Sequence, residues 1–174
     1  MKRLNNLILG ATLLFSSCQT NKQGIMNLLG DEGYTRIYRP YNEACKIAFT
    51  PDVDSQGKPT DYWQSPEKTK ELGKGDCEDF AFYLNSLWNN ESILGRVVIG
   101  YLRQGDKEKH AWNEIIWGDQ VFIADASAKR FILKKNLPRN MYIEDNEETR
   151  KLAENRQNEG INYGNMPSGL LREK

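Results

Sequence analysis

One cysteine in this sequence stands where a cysteine is reactive. In Gly73-Lys74-Gly75-Asp76-Cys77-Glu78-Asp79, two glycines and an aspartate lead into Cys77. The residues that follow have helical spacing, with Phe80, Tyr83, Leu84, Leu87 and Trp88 on one apolar face. Asp76 is a good N-cap, and Asp79 three residues later acts as the second half of a capping box, with Asp in place of Glu. The spacing therefore predicts Cys77 in the first turn of a helix. Unpaired N–H groups and the helix dipole favour a thiolate there, and a thiolate is a nucleophile. The alternative, a buried cysteine acting as a small hydrophobe, fits poorly among charged neighbours.

A nucleophilic thiol needs a base, and His110 is the only histidine of the chain. A lone histidine is usually a surface or core residue, so the case rests on its setting. His110–Trp117 and Gln120–Ala126 alternate like strands, and Gly118-Asp119 between them is a two-residue hairpin turn. That turn sets Trp117 opposite Gln120, Trp112 opposite Asp125 and His110 opposite Ser127. His110 and Asp125 then become diagonal neighbours on one face, about 7–8 Å apart at the backbone. Asp125 can hold the imidazole in one tautomer and leave its other nitrogen for Cys77. Glu114 shares the face and is the fallback for Asp125.

Three carboxylates crowd the cysteine. Asp76, Glu78 and Asp79 repel a thiolate and raise its pKa. Either they cap the helix and point outward, or they hold a cation that cancels the repulsion. The backbone N–H of Cys77 supplies half of an oxyanion hole.

The elements that position these residues follow from the rest of the chain. Apolar spacing predicts a helix over 41–48 with Pro40 at its first turn. Residues 50–60 are dense in turn formers and form a loop; Asp52-Val53-Asp54-Ser55 lacks a glycine and a distal glutamate at the spacing an EF-hand needs. Ser65 caps a short helix begun by Pro66 and ended near Gly73. The Cys77 helix runs to about 89. Strands follow over 96–102, 110–117, 120–126 and 130–133, and a mostly charged helix over 144–157. Cys45 reads as a small buried residue, and a Cys45–Cys77 disulfide is not expected.

Charge and length bound the function. Lys+Arg and Asp+Glu each number 24, which gives no reason to expect a nucleic-acid partner. The length suits one domain. The first residues stand apart. Met1-Lys2-Arg3 precedes an apolar run, Leu7 to Phe15, that is too short to span a bilayer. Ser16-Ser17-Cys18 then resembles a bacterial lipobox, although Phe15 departs from the usual leucine. This predicts export and lipidation at Cys18, with a lipoprotein facing the periplasm. Cleavage before Cys18 leaves 22 basic against 24 acidic residues, a net charge of −2.

Four motifs lie in order: Gly-Asp-Cys-Glu-Asp-Phe-Ala at 75–81, Val-Val-Ile-Gly-Tyr at 97–101, His-Ala-Trp-Asn-Glu at 110–114 and Ala-Asp-Ala at 124–126. Together they resemble the transglutaminase-like superfamily. With Tyr-Trp-Gln-Ser-Pro-Glu at 62–67, the chain is most similar to the bacterial transglutaminase-like cysteine proteinases. The resemblance implies an α+β, papain-like core, with the cysteine helix packed on an antiparallel sheet. It implies a catalytic triad of Cys77, His110 and Asp125, and an oxyanion hole completed by Trp63 or Gln64. It also implies calcium at Asp76, Glu78 and Asp79, although the thiol chemistry itself requires no cofactor. The expected organisation is a leader over 1–17, a tether over 18–30, a catalytic domain over 31–143 and a polar helix and tail over 144–174. The expected activity is acyl transfer at amides of a protein or peptide, most simply hydrolysis. A crosslinking transamidase uses the same triad, and a non-catalytic binding module of the same fold is the third reading.

Overall fold

A computed structural model describes residues 22–158 apart from 59 and 61. The expected leader and the lipidation site at Cys18 lie outside the described residues. Among the described residues, no helix is long and apolar enough to cross a membrane.

The centre of the fold is α4, Cys77–Asn90. The expectation of one apolar face understates it, because this helix is buried on two. Phe80, Tyr83, Leu84 and Trp88 enter the main core with the N-terminal helices. Ala81 and Phe82 pack on the other side, with Val97, Ile99 and Ala111 of the sheet. Each large side chain so buried contributes roughly 1.5–3 kcal/mol. Two hydrogen bonds fix the helix between its layers. Trp88 Nε1 donates to the Ile37 carbonyl at 3.0 Å, and Asn113 Nδ2 donates to the Ala81 carbonyl at 3.0 Å.

The N-terminal layer differs from expectation. The predicted helix over 41–48 is the end of a longer helical run, formed by α1 (Lys22–Gly33), a π-helical turn (Tyr34–Tyr38) and α2 (Arg39–Ala44). It stops four residues before the predicted end. Much of the expected tether is therefore helix, and Ile25 and Leu29 are buried in the main core. The cause is tertiary: Trp117 Nε1 donates to the Leu29 carbonyl at 3.0 Å, which docks α1 on the sheet. Cys45 is buried at the end of α2, and neither it nor Cys77 is in a disulfide.

Short elements then deliver the cysteine. Strand β1 (Ala48–Phe49) pairs in parallel with β2 (Lys74–Gly75). Helix α3 (Pro66–Leu72) lies between them in sequence, and Ser65 Oγ accepts from the Lys68 N–H at 3.2 Å as its cap.

The sheet is antiparallel, in the order β6 (Arg130–Leu133), β5 (Gln120–Asp125), β4 (His110–Trp117), β3 (Gly95–Arg103), β7 (Met141–Glu144). The β4–β5 register is the one the two-residue turn dictates, with Trp117 opposite Gln120 and Asn113 opposite Ala124. Gly118 makes that turn possible with φ +62°, a left-handed value that glycine adopts freely. Strand β7 has no counterpart among the expected elements.

Helix α5 (Asn146–Asn158) is also less exposed than its charge suggests. Thr149 and Leu152 are buried, and the Ile99 N–H of β3 donates to Thr149 Oγ1 at 3.0 Å.

Candidate active site

The N-terminus of α4 is built around Asp79, which has no exposed surface. Its carboxylate accepts from the Gln64 N–H at 2.8 Å, from Gln64 Nε2 at 2.5 Å and from the Asp76 N–H at 3.3 Å. The last of these is the reciprocal half of the capping box. Burial pushes the Asp79 carboxyl up, while the Gln64 and Asp76 donors pull it back. Gly75 must be glycine, because a Cβ there would lie 2.5 Å from Asp79 Oδ2. Asp79 thus ties the 62–64 segment, the glycine turn and the helix start into one unit, and the thiol is carried on it.

Cys77 Sγ sits against β4. The Ala111 N–H donates to it, so the thiol meets the strand one residue from His110. Sγ also donates to Glu78 Oε2 at 2.9 Å. Burial comes first in raising the thiol pKa well above its ordinary value, and the Glu78 carboxylate comes next. The resting group is therefore a neutral thiol, not the thiolate that its place on the helix alone favours.

His110 and Asp125 meet as the hairpin geometry requires, with Nε2 2.8 Å from Oδ2. The His110 ring also stacks on Trp112, with centroids 6.4 Å apart. Asp125 is fully buried. Burial alone would raise its pKa, but His110, the Ala128 N–H and the Ser127 hydroxyl together hold it below the usual carboxylate range. The carboxylate is thus ionised and accepts, so Nε2 carries the imidazole proton and Nδ1 is the basic nitrogen.

Sequence reasoning missed one partner. Tyr142 of β7 donates its hydroxyl to the same Asp125 Oδ2 at 2.9 Å. Its backbone is held at φ +52°, a strained value for an aromatic residue. No local pattern in 134–143 marks it, because only the β3–β7 pairing brings it to the site.

The fallback Glu114 is not available to His110. It shares the face but is taken by Arg96 at 2.8 Å and Lys134 at 3.1 Å, which hold its pKa down against burial. The oxyanion-hole candidates also separate. The backbone N–H of Gln64 and its amide are committed to Asp79, with a further amide contact to the Lys74 carbonyl at 3.5 Å. Trp63 instead packs on Phe82, with centroids 5.6 Å apart, in the cluster that also holds Cys77.

The three acidic residues do not form a common cation site. Among the described residues, no group of three or more His, Cys, Asp or Glu side chains is arranged to hold a metal. Asp79 departs from the expected set because protein donors occupy it. Asp76 and Glu78 remain a fit for a cation on two counts. Asp76 Oδ1 is buried without a hydrogen-bond partner. Burial and the hydrogen-bonded Glu78 carboxyl together push the Asp76 pKa up to about 8, so the pair shares a proton where a cation could replace it.

A family model described as the transglutaminase-like superfamily matches residues 22–126. This chain belongs to that superfamily. No curated protein matches it by sequence. Among solved structures, this transglutaminase-like chain is similar to LapG of Legionella pneumophila. The TM-score is 0.54 at 15% identity, over 79% of this chain and 84% of LapG. The calcium-bound form of LapG aligns with a TM-score of 0.52 at 17% identity, over 67% of each chain. An EGTA-treated form gives 0.52 at 17% identity, over 69% and 67%. These likenesses show the fold: a mixed arrangement of helices and a curled antiparallel sheet.

Proposed function

We propose that the chain is a cysteine peptidase in which Cys77 is the nucleophile, His110 the base and Asp125 the orienting carboxylate. One observation carries this reading: the thiol that accepts the Ala111 N–H lies one residue from a histidine already fixed by a buried aspartate. In the proposed reaction, His110 Nδ1 takes the Cys77 proton and the thiolate attacks the carbonyl carbon of a peptide bond. The Cys77 N–H stabilises the oxyanion, and Trp63 remains the candidate for the second donor. His110 returns the proton to the departing amine, and water, activated by the same nitrogen, releases the acid from the acyl-enzyme.

The test is alkylation of the thiol by iodoacetamide at neutral pH. Labelling at Cys77 is expected to slow by roughly tenfold or more in His110→Ala, in the range of a positioned base. Equal rates in both proteins would remove His110 from the mechanism. Incorporation of an added amine in place of hydrolysis would assign the crosslinking reaction instead.

Asp76 and Glu78 would hold a divalent cation, and calcium suits an all-oxygen site. What such an ion supplies is positive charge beside a thiol that Glu78 otherwise keeps neutral. The linkage has a definite sign. A carboxyl raised from 3.8 to about 8 disfavours the folded state as pH climbs through that interval. Without calcium, the melting temperature is therefore expected to fall between about pH 4 and pH 8 and to level off above that. Excess calcium should flatten the slope, and Glu78→Gln should flatten it without calcium. A slope that calcium leaves unchanged would favour simple capping.

The lipobox-like start supports export and anchoring at Cys18 to a membrane facing the periplasm. A palmitate analogue is expected to label the wild-type chain and not Cys18→Ser; equal labelling would remove the anchor.

A further inference from the structure

Large apolar side chains left in water usually lie scattered. Among the described residues, seven are more than a third exposed: Leu28, Phe49, Val53, Tyr62, Leu72, Leu94 and Ile116. Three of them, Phe49, Val53 and Tyr62, fall within the single stretch 49–62, and they are the most exposed of the seven, at 58%, 58% and 66%. The other four are spread over separate elements.

The stretch 49–62 borders the candidate nucleophile at both ends. Phe49 pairs with Gly75 across the two short parallel strands, and Gly75 is two residues before Cys77. Strand spacing of about 4.8 Å and the reach of two residues put the Phe49 backbone within roughly 12 Å of the Cys77 backbone. The Phe49 ring rests on Phe80, with centroids 6.5 Å apart, one turn along the helix that begins at Cys77. At the other end, Tyr62 precedes Trp63, which packs in the cluster that holds the thiol. The Gln64 N–H beyond it is bound by Asp79 of the same helix.

The loop between these ends is a built platform. Asp52 Oδ2 accepts the Tyr62 N–H at 2.6 Å, and the Asp52 carbonyl accepts the Thr60 N–H at 3.2 Å. Asp54 closes the tip through its side chain, which accepts from the Gln56 and Lys58 N–H groups at 2.8 and 2.9 Å. A polar frame thus holds a loop that leaves three large apolar side chains open to solvent, with its Phe49 end within roughly 12 Å of the Cys77 backbone.

We infer that Phe49, Val53 and Tyr62 form a substrate subsite for an extended polypeptide that carries a large apolar side chain within two or three residues of the scissile amide. The inference rests on the peptidase reading above, because a chain laid across Cys77 is what brings a side chain onto this surface. An extended chain advances about 3.3 Å per residue, so two or three residues cover about 7–10 Å and a large side chain reaches the rest of the way to the loop.

The experiment uses the full chain with calcium in the buffer, and N-acetyl dipeptidyl vinyl sulfones that differ in one side chain. Labelling of Cys77 is followed by mass spectrometry. Leucine and phenylalanine reagents are expected to react roughly tenfold faster than the alanine reagent, at the lower end of what a few methylenes in a pocket contribute. In Phe49→Ala/Tyr62→Ala the leucine-to-alanine ratio should fall to about one. Phe49→Leu/Tyr62→Phe should restore the preference, and Leu94→Ala, remote from the loop, should keep it. Both positions are exposed, so the variants should melt like the wild type. Equal labelling by all three reagents, or a preference that survives the double alanine variant, overturns the subsite and leaves the peptidase reading standing. Failure of every reagent to label wild-type Cys77 overturns the peptidase reading, and the subsite with it.

Discussion

Replacing Cys77 with alanine is expected to reduce turnover to background while leaving the protein folded. The reaction has no second route, because the other described cysteine, Cys45, is buried in the main core. Alanine offers no nucleophilic atom beside His110, so no acyl-enzyme can form. The structural cost is small. Sγ is partly buried and packs at the rim of one cluster, and its loss frees Glu78 from a contact that holds the thiol neutral. A change in stability within about 1 kcal/mol is the expectation for so small a truncation. The check pairs cleavage of a panel of exported bacterial proteins with thermal melting of the same sample. Cleavage that survives in a folded Cys77→Ala protein would show that the chemistry does not run through a thiol, and the binding-module reading would replace it.

Asp125→Asn carries the second large effect. In the parent, an ionised carboxylate keeps the imidazole proton on Nε2 and leaves Nδ1 basic. An asparagine amide turned toward His110 presents N–H groups instead and draws the proton to Nδ1, where it blocks acceptance from the thiol. In a serine triad the equivalent change costs about 10⁴-fold. A thiol depends less on its base than a hydroxyl does. Here, however, burial and Glu78 raise the thiol pKa, which restores part of that dependence. A loss on the order of 10³-fold in kcat/KM is therefore expected, against a much smaller loss for Tyr142→Phe, which removes one donor and keeps the tautomer. Stability should fall as well, by about 1–3 kcal/mol, because Ser127, Ala128, Tyr142 and His110 all meet this buried side chain. The sign with pH follows from the lowered carboxyl. Its contribution to stability is present above the ordinary aspartate range near 4 and is lost as the pH falls below it. The variant should accordingly lose some of the acid sensitivity of the parent. Wild-type kcat/KM in Asp125→Asn would exclude Asp125 as the orienting group.

What the sequence determined by itself is local. Caps and turns act over three or four residues, so the start of α4 at Cys77, the Ser65 cap and the helix end near Gly73 are all written in short patterns. The hairpin goes further. A two-residue turn leaves one register, and strand periodicity then carries that register eight residues up the ladder, so the meeting of His110 and Asp125 follows from Gly118-Asp119 at a distance.

The tertiary structure decided whatever depends on residues remote in the chain. The charged neighbours that argue for an exposed thiol do not reveal that burial and Glu78 keep it protonated. Asp79 reads as a cap or a metal ligand until Gln64, fifteen residues away, is seen to occupy it. Glu114 reads as a spare carboxylate until Arg96 and Lys134 are seen to take it. Tyr142 cannot be found from 134–143 at all, because its value to the site comes from β7 closing on β3. The physical reason is common to all four. A buried charge takes its partners from whatever the packing brings within hydrogen-bond reach, and packing joins segments whose separation along the chain leaves no local pattern.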